Sequence, residues 1–217
     1  MSELPDYSEW LTYERLSVEE KAWFKAGFHK VYARDIDDAL GRSIAPVVLE
    51  LGCGIGLVPH ELIIGRGRPT AYYGVDANLG CIQKARSRSG DMVEFIQEDI
   101  RDVLSSSDLD KDFMIPAPYL VCSFAVLKHF DIHESIALIQ GILSRSSVSI
   151  FSIPVTGGEH KNDGTEFNHT WLNFDTVKGL IRSSKKSITR TSTLAGEPLN
   201  DHLEQEVIFT CIPKEAR

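Results

Sequence analysis

The residues best suited to chemistry are glycines and acids that follow short apolar segments. Val47–Leu51 is an apolar run containing Glu50, and it leads directly into Gly52-Cys53-Gly54-Ile55-Gly56. Alternating glycines let a backbone approach a ligand closely, because no Cβ stands in the way. The E-x-G-x-G-x-G spacing differs from the dinucleotide fingerprint G-x-G-x-x-G, whose third glycine falls one residue later. The pattern predicts a ligand-binding loop between a strand and a helix, with an ordinary structural turn as the alternative.

A second acid stands at the end of the next apolar segment. Residues 71–76 predict a strand ending in Asp76, roughly 20 residues after the glycine loop, which is the spacing of a ribose-binding acid. A carboxylate there can accept two charge-assisted hydrogen bonds from a ribose diol. Asn78 is predicted to cap the following helix, whose apolar side would hold Leu79, Ile82 and Ala85. The alternative is that Asp76 itself caps that helix.

Two further segments also end in polar residues. Residues 93–97 form a short alternating pattern followed by Glu98 and Asp99. Residues 119–124 form an apolar strand that ends near Ser123, and His129 follows five residues after that strand. Both segments add polar groups where strands are predicted to end.

The four segments, in this order, resemble those of the class I S-adenosylmethionine (SAM) methyltransferases. The glycine run resembles motif I, the loop that wraps the methionine and ribose parts of the cofactor. Residues 121–129 resemble the D-x-V-x-S strand and V-L-x-H turn of many small-molecule methyltransferases. Tyr119 departs from that pattern, because relatives commonly have Asp there. The resemblance covers residues 47–129.

The resemblance also implies which residues hold SAM. Asp76 would bind the ribose, Asp99 would accept from the exocyclic amine of adenine, and the N–H of Ile100 would donate to the ring. Glu98 is the competing acid beside Asp99, and a loop carboxylate can also be merely solvated. The full set of implied cofactor residues is Glu50, Gly52, Cys53, Gly54, Gly56, Asp76, Ala77, Asp99, Ile100, Ser123 and Phe124.

The elements that must position these residues alternate along the chain. Strands are predicted at about 46–51, 71–76, 93–97, 119–124 and 147–153, with helices after Asp131 and near 174–183. Segments 186–193 and 205–212 have no helix between them and suit an antiparallel hairpin. We therefore expect an α/β fold with a Rossmann-like doubly wound sheet of seven strands, mostly parallel with an antiparallel C-terminal hairpin. In such sheets ligands bind beyond the carboxyl ends of the strands.

Residues 1–45 are predicted to be a helical extension, and residues 46–217 a single SAM-binding domain. The capping box Ser17–Glu20 starts a helix with an aromatic side that includes Trp23, Phe24 and Phe28. Such a stripe is common in core packing. The resemblance implies instead a lid over the cofactor, with Phe24 at the substrate.

Methyl transfer from a sulfonium is a direct displacement that depends mainly on orientation, and a base is needed only for a protonated acceptor. Related enzymes sometimes use a histidine where His129 stands, although this ring could simply orient a loop. The polar segment 156–171 contains His169 and Trp171 and could be a mobile lid or an uninvolved surface loop. We predict that His129, His169, Trp171 and an N-terminal aromatic such as Phe24 surround the acceptor, with both histidines catalytic.

Length, composition and cysteine spacing limit the remaining possibilities for domain number, compartment and metal binding. The chain has 217 residues, 42% of them hydrophobic, a length and composition that fit one soluble domain. No apolar run approaches the roughly 20 residues that span a bilayer, and the first residues lack a secretory signal, so we expect a cytosolic protein. The cysteines are scattered and His129 precedes the helix cap at Asp131, away from His133. We therefore expect no disulfide and no metal site.

The predicted function is SAM-dependent methyl transfer to an oxygen or nitrogen of a small-molecule acceptor. The net charge of -8 argues weakly against a large nucleic-acid acceptor, because proteins that bind many phosphates usually present a basic face. The sequence also lacks N/D-P-P-Y/F after the fourth strand, the signature of amino-methylating enzymes of DNA and protein. The alternatives are a tRNA or protein methyltransferase, or a scaffold subunit that keeps the fold without catalysis.

Overall fold

A computed structural model describes residues 28–41, 47–66, 71–89, 91, 93–118, 120–162, 169–193 and 205–214. The predictions that concern residues 1–27, including the position of Phe24 and the helix start at Ser17, lie outside the described residues. No helix within the described ranges combines the length and the apolar character needed to cross a membrane.

The described residues form nine strands and seven α-helices. The strands are β1 Val47–Leu51, β2 Ala71–Asp76, β3 Glu94–Gln97, β4 Leu120–Ser123, β5 Val148–Thr156, β6 Lys161–Asn162, β7 Thr170–Asn173, β8 Lys186–Thr193 and β9 Gln205–Pro213. The helices are α1 Phe28–Leu40, α2 Leu57–Arg66, α3 Leu79–Ser89, α4 Ile100–Ser105, α5 Leu109–Phe113, α6 Ile132–Arg145 and α7 Phe174–Ser183.

The main sheet has the order expected of a doubly wound fold. Strands β3, β2, β1, β4 and β5 lie side by side and are parallel. Strand β9 then pairs antiparallel with β5, and β8 pairs antiparallel with β9. The predicted mostly parallel sheet and its antiparallel C-terminal hairpin are thus confirmed. The strand order reverses between β1 and β4, and ligands of such sheets bind at this switch point.

The segment 156–171, expected to be a loop, contains additional strand structure. Strand β5 continues to Thr156, and β7 runs parallel to its end, with Val155 opposite Leu172. The two-residue β6 closes a small hairpin by pairing Lys161 with Trp171. The physical reason is a short alternating pattern: Thr170 and Leu172 are buried while Trp171 is partly exposed. The seven expected strands are all present, and β6 and β7 are added to them.

Helices cover both faces of the sheet. Helices α1, α2 and α3 pack on one face through residues such as Tyr32 and Ile82, while α6 and α7 pack on the other. Asp131 caps α6 as predicted, because its Oδ1 accepts from the N–H of Glu134 at 2.8 Å. Leu79 differs from expectation: it begins α3 and is 48% exposed rather than packed beside Ile82.

One buried charge lies at the edge of the sheet opposite the switch point. The ammonium of Lys186, at the start of β8, donates to the carbonyl of Ser146 at 2.7 Å and to Ser149 Oγ at 2.6 Å. The residue is only 5% exposed. Burial lowers the pKa of Lys186 to about 8. Folding therefore brings this ammonium into surroundings that favour its neutral form.

Stability should consequently rise with pH relative to a variant without this charge. The unfolded chain holds the lysine proton up to a pKa near 10.5, whereas the folded chain releases it near 8, so alkali favours folding across that window. We expect the free energy of unfolding of the wild type, minus that of Lys186→Met, to increase by about 1 kcal/mol from pH 7 to pH 9. Urea unfolding of both proteins measures this difference and cancels the titration of other groups. If the free energies of unfolding of the two proteins changed equally with pH, the prediction would be contradicted.

Candidate functional site

The candidate site lies at the carboxyl ends of β1, β2 and β4. The glycine loop that follows β1 is tied to the end of β2, because the N–H groups of Gly52 and Cys53 both donate to the carbonyl of Val75, at 2.7 and 2.9 Å. Since β1 also pairs with β4, the loops that follow these three strands meet at one edge of the sheet.

The three glycines of this loop all have positive φ angles, but their surroundings differ. A Cβ on Gly52 would lie 2.1 Å from Val126 Cγ2, and a Cβ on Gly56 would lie 2.9 Å from the Cβ of Ala85. These two glycines are therefore required by close packing within the protein. Gly54, with φ +51°, has no described atom within 4 Å of its Cβ position. Only this glycine presents open space in front of the loop, as a ligand-binding backbone would.

Asp76 closes the loop from the end of β2. Its Oδ2 accepts from the N–H of Gly54 at 2.9 Å, and its Oδ1 accepts from the N–H of Asn78 at 2.9 Å. Burial raises the pKa of Asp76, although these two hydrogen bonds oppose the shift. Asn78, as predicted, caps α3, because its Oδ1 accepts from the N–H of Gly80 at 2.9 Å. Ala77 lies between these two residues, so both sides of the β2 turn are fixed around it.

Glu50 lies behind the loop and is only 2% exposed. Its Oε2 accepts from the hydroxyl of Tyr72 at 2.8 Å. Burial, with a further contribution from the Asp76 charge, raises the pKa of Glu50 to about 8. This carboxyl is therefore largely protonated at neutral pH. The implied role of Glu50 at the cofactor stays a prediction.

Asp99 is engaged by a residue that the sequence analysis did not single out. Arg101 donates from Nε to both carboxylate oxygens at 3.1 Å, from Nη2 to Oδ2 at 2.7 Å, and from its backbone N–H to Oδ1 at 2.8 Å. Burial opposes ionisation, but these bonds hold the pKa of Asp99 below its ordinary value. Arg101 also bonds Glu134 at 3.1 Å. Asp99 thus caps α4 and forms an ion pair, whereas the side chain of Ile100 is buried in the core.

The two residues at the end of β4 are buried. Ser123 Oγ donates to the carbonyl of Leu51 at 3.0 Å and links β4 to β1. Phe124 stacks on Tyr32 of α1, with ring centroids 4.2 Å apart and planes 11° from parallel. Both side chains thus have partners inside the protein, and their contact with a cofactor stays a prediction.

His129 and His169 are brought together. Their ring centroids are 5.0 Å apart, in an edge-to-face arrangement. His129 ends the 3-10 turn Leu127–His129, and its ring also hydrogen-bonds the backbone of Ala125. Burial first, then the charges of Lys128 and His169, lowers the pKa of His129 to about 3. The imidazole of His129 is therefore neutral at physiological pH.

Strand β7 brings His169 to this turn. The hydroxyl of Thr170 donates to the carbonyl of Phe130 at 2.6 Å, which fastens the start of β7 to the residue after the turn. Trp171 follows on β7, and Lys161 Nζ lies 5.5 Å from the centre of its ring. Among the described residues the indole N–H of Trp171, though buried, has no hydrogen-bond partner. The tryptophan therefore has a donor available in this region.

Several residues that shape the site are not predicted from the sequence. Arg101 could have been recognised from its position two residues after Asp99, because an arginine in the first turn of a helix can pair with the cap acid. Glu206 stands near the start of β9, just before the buried run Val207–Cys211, and no local pattern marks its partner. Tyr32 and Lys128 carry no comparable signal, since their partners come from distant parts of the chain.

No protein-family model and no curated protein matches the chain. Solved structures do match its fold. Magnesium protoporphyrin IX methyltransferase from Synechocystis PCC 6803, solved with bound SAM, superposes with a TM-score of 0.62 at 16% identity, over 86% of this chain and 80% of that one. A glycopeptide N-methyltransferase complexed with SAM gives a TM-score of 0.58 at 13% identity, over 86% and 94% of the two chains.

A third match spans almost the whole chain. The putative methyltransferase of Haloferax volcanii, solved in complex with the Trm112 methyltransferase activator, superposes with a TM-score of 0.66 at 14% identity. It covers 96% of this chain and 98% of that chain. With the strand order, the glycine loop and the acid at the end of β2, these likenesses show that the chain has the fold of the class I SAM-dependent methyltransferases.

Proposed function

We propose that the loops after β1, β2 and β4 bind SAM, and that the protein transfers the methyl group to an oxygen or nitrogen of a small-molecule acceptor. The observation that carries the proposal is the joined pair of Gly54 and Asp76. The glycine has open space before it, and the acid that accepts its N–H stands at the end of the neighbouring strand. Two structures of the same fold were solved with SAM bound.

The residues present fit the cofactor. Each oxygen of Asp76 accepts one hydrogen bond from a backbone N–H, and a carboxylate oxygen can accept two, so both retain capacity for a ribose diol. Asp99 is different, because Arg101 donates to both of its oxygens. An adenine amine would have to share the oxygens of Asp99 with the Arg101 guanidinium. Among the described residues, Arg101 does not compete in this way for the backbone N–H of Ile100, which is a donor.

Methyl transfer requires mainly that the protein orient the acceptor and the cofactor relative to each other. SAM, when bound, supplies a methyl group on a positively charged sulfur. The protein needs no nucleophile, and its contribution is to align the acceptor with that methyl group. His129 is neutral and can take a proton from a hydroxyl acceptor, or from a neutral amine, as the new bond to carbon forms. Trp171, with its available indole N–H, is proposed to contact the acceptor.

Two measurements test this function. A thermal-shift titration should raise the melting temperature with SAM, since a ligand at 100 times its Kd stabilises by about 2.7 kcal/mol. Incubation of cell extracts with radiolabelled SAM and the protein should then label a small molecule. Label in tRNA or in protein would replace the proposed acceptor class. Binding of SAM without any labelled product would favour the scaffold alternative, and no SAM binding would end the proposal.

Asp76→Ala provides a direct test of the ribose site. We expect SAM affinity to fall by about 1.5–3 kcal/mol, or about 10- to 150-fold, the range for losing hydrogen bonds to a charged group. Isothermal titration calorimetry measures the loss. Asp110→Ala, an exposed aspartate on α5, is the control and should bind SAM as the wild type does. Unchanged affinity in Asp76→Ala would remove this residue from the cofactor site.

A further inference from the structure

The turn after β4 has a backbone conformation that needs external support. Ala125 has φ +58°, in the left-handed region that residues with a Cβ rarely adopt. Such a conformation is strained and persists only where the surrounding structure enforces it. The residues that follow Ala125 form the 3-10 turn ending in His129. Whatever enforces the conformation of Ala125 therefore also determines where this histidine is placed.

A chain of buried polar contacts provides that support. The N–H of Ala125 donates to Ser152 Oγ at 2.8 Å, and the hydroxyl of Ser152 donates to Glu206 Oε1 at 2.6 Å. The other oxygen of Glu206 accepts from Lys128 Nζ at 3.3 Å. One carboxylate on β9 thus holds the turn at two points, through Ser152 at its beginning and through Lys128 near its end.

The ion pair in this chain is poorly exposed to water. The side chains of Lys128 and Glu206 are 15% and 11% exposed, and Ser152 is 1% exposed. Burying two charges carries a desolvation cost that their attraction often only balances. A buried pair of this kind contributes little net stability, but removing one partner leaves the other uncompensated. Its clearest physical effect here is to fix one conformation of the turn.

Helix α1 joins the same network. The ring of Tyr32 stacks on Phe124, the residue before Ala125. Burial, and then the Glu206 charge, raises the pKa of Tyr32. The second half of the turn is held separately, because Ser135 Oγ donates to the carbonyl of Leu127 at 2.8 Å. Glu206 also contacts this second half through Lys128, and through Ser152 it acts on the first half, where the left-handed residue lies.

The contact between Ala125 and His129 links the network to the site. The His129 ring hydrogen-bonds the backbone of Ala125 and meets His169 at its edge. We propose that Glu206 is a positioning residue, which holds Ala125 in its left-handed conformation through Ser152 and thereby fixes the imidazole of His129. Its value for methyl transfer rests on the proposed function, in which this turn borders the acceptor.

Two variants test the chain of hydrogen bonds that runs from Ala125 through Ser152 to Glu206. Ser152→Ala deletes the hydroxyl between Ala125 and Glu206 but keeps the Lys128–Glu206 pair, and Glu206→Gln removes the charge while keeping an oxygen that can accept from Ser152. Ser149→Ala is the matched control, a buried serine on the same strand that bonds Lys186 and the carbonyl of Ile142 instead. Proton–carbon NMR of the histidine rings, with the His129 signal assigned from a His129→Gln variant, follows each protein between pH 5 and pH 8.

In the wild type and in Ser149→Ala, the His129 signal should stay at its neutral position throughout. In Ser152→Ala it should titrate within this range, because a released ring gains water and moves away from Lys128 and His169, so its pKa rises from about 3 by more than about two units. Glu206→Gln should give a smaller shift of the same sign.

His129 signals that superimpose in the wild type, Ser152→Ala and Glu206→Gln would overturn the proposal. The NMR titration needs no cofactor and no acceptor. A wild type that fails to bind SAM would therefore end the proposed function, while the titration would still decide whether Glu206 positions the turn.

Discussion

Gly54→Val should weaken SAM binding by more than about 100-fold, because its side chain would fill the space in front of the glycine loop. That space is free of described protein atoms to 4 Å from the Cβ position. The substitution therefore meets no neighbour among the described residues, and its packing cost is expected to fall on the ligand. The backbone cost is separate, since φ at Gly54 is +51° and a β-branched residue is strained there.

Gly41→Val is a matched control for that strain. Gly41 follows α1 with the same φ of +51°, and among the described residues its Cβ would meet only the carbonyl oxygen of Asp38, at 4.0 Å. Both variants should lose similar stability in urea unfolding, but only Gly54→Val should lose SAM affinity in calorimetry. Normal SAM binding by Gly54→Val would contradict the assignment of the glycine loop to the cofactor.

The parts of the fold that follow from local chemistry were predictable. Alternating or continuous apolar runs mark β1 to β5, because burial on one or both faces of a sheet sets the period of the pattern. The caps at Asn78 and Asp131 were also predictable, since one side chain and the next turn of backbone are enough to form them. The glycine loop and Asp76 come together because adjacent parallel strands end at one edge of the sheet.

The parts that depend on distant partners were not predictable. Lys128 and Glu206 are 78 positions apart in the chain, and nothing local marks them as partners. The role of Asp99 follows from the resemblance alone. Its ion pair with Arg101 occupies part of the capacity of the carboxylate to accept hydrogen bonds from a cofactor. Strand β7 is not predicted from the sequence, because four residues at the end of a polar segment give a pattern too short to distinguish a strand from a loop.

The proposed role of His129 has two forms, as a base for the acceptor or as a support of its turn. Its ring nitrogen that bonds the backbone of Ala125 is not available for proton transfer, so a base would use the other nitrogen. A pKa of about 3 keeps that nitrogen unprotonated but makes it a weak base. Proton transfer is therefore effective only when the acceptor proton becomes acidic as the methyl bond forms.

We expect His129→Ala to lower turnover by about 10²–10⁴-fold, the usual contribution of a positioned acid or base, with SAM affinity nearly unchanged. Turnover is measured as radiolabelled methyl group transferred to the acceptor found in the extract screen, and affinity by calorimetry. Because His129 does not gain a proton until about pH 3, its protonation should cause no loss of wild-type turnover between pH 5 and pH 8. His129→Gln separates the two roles, since its amide can donate to the Ala125 backbone but cannot accept the proton. If it turned over like the wild type, His129 would act only by holding its turn, and acceptor recognition would fall to Trp171 and the other aromatic side chains.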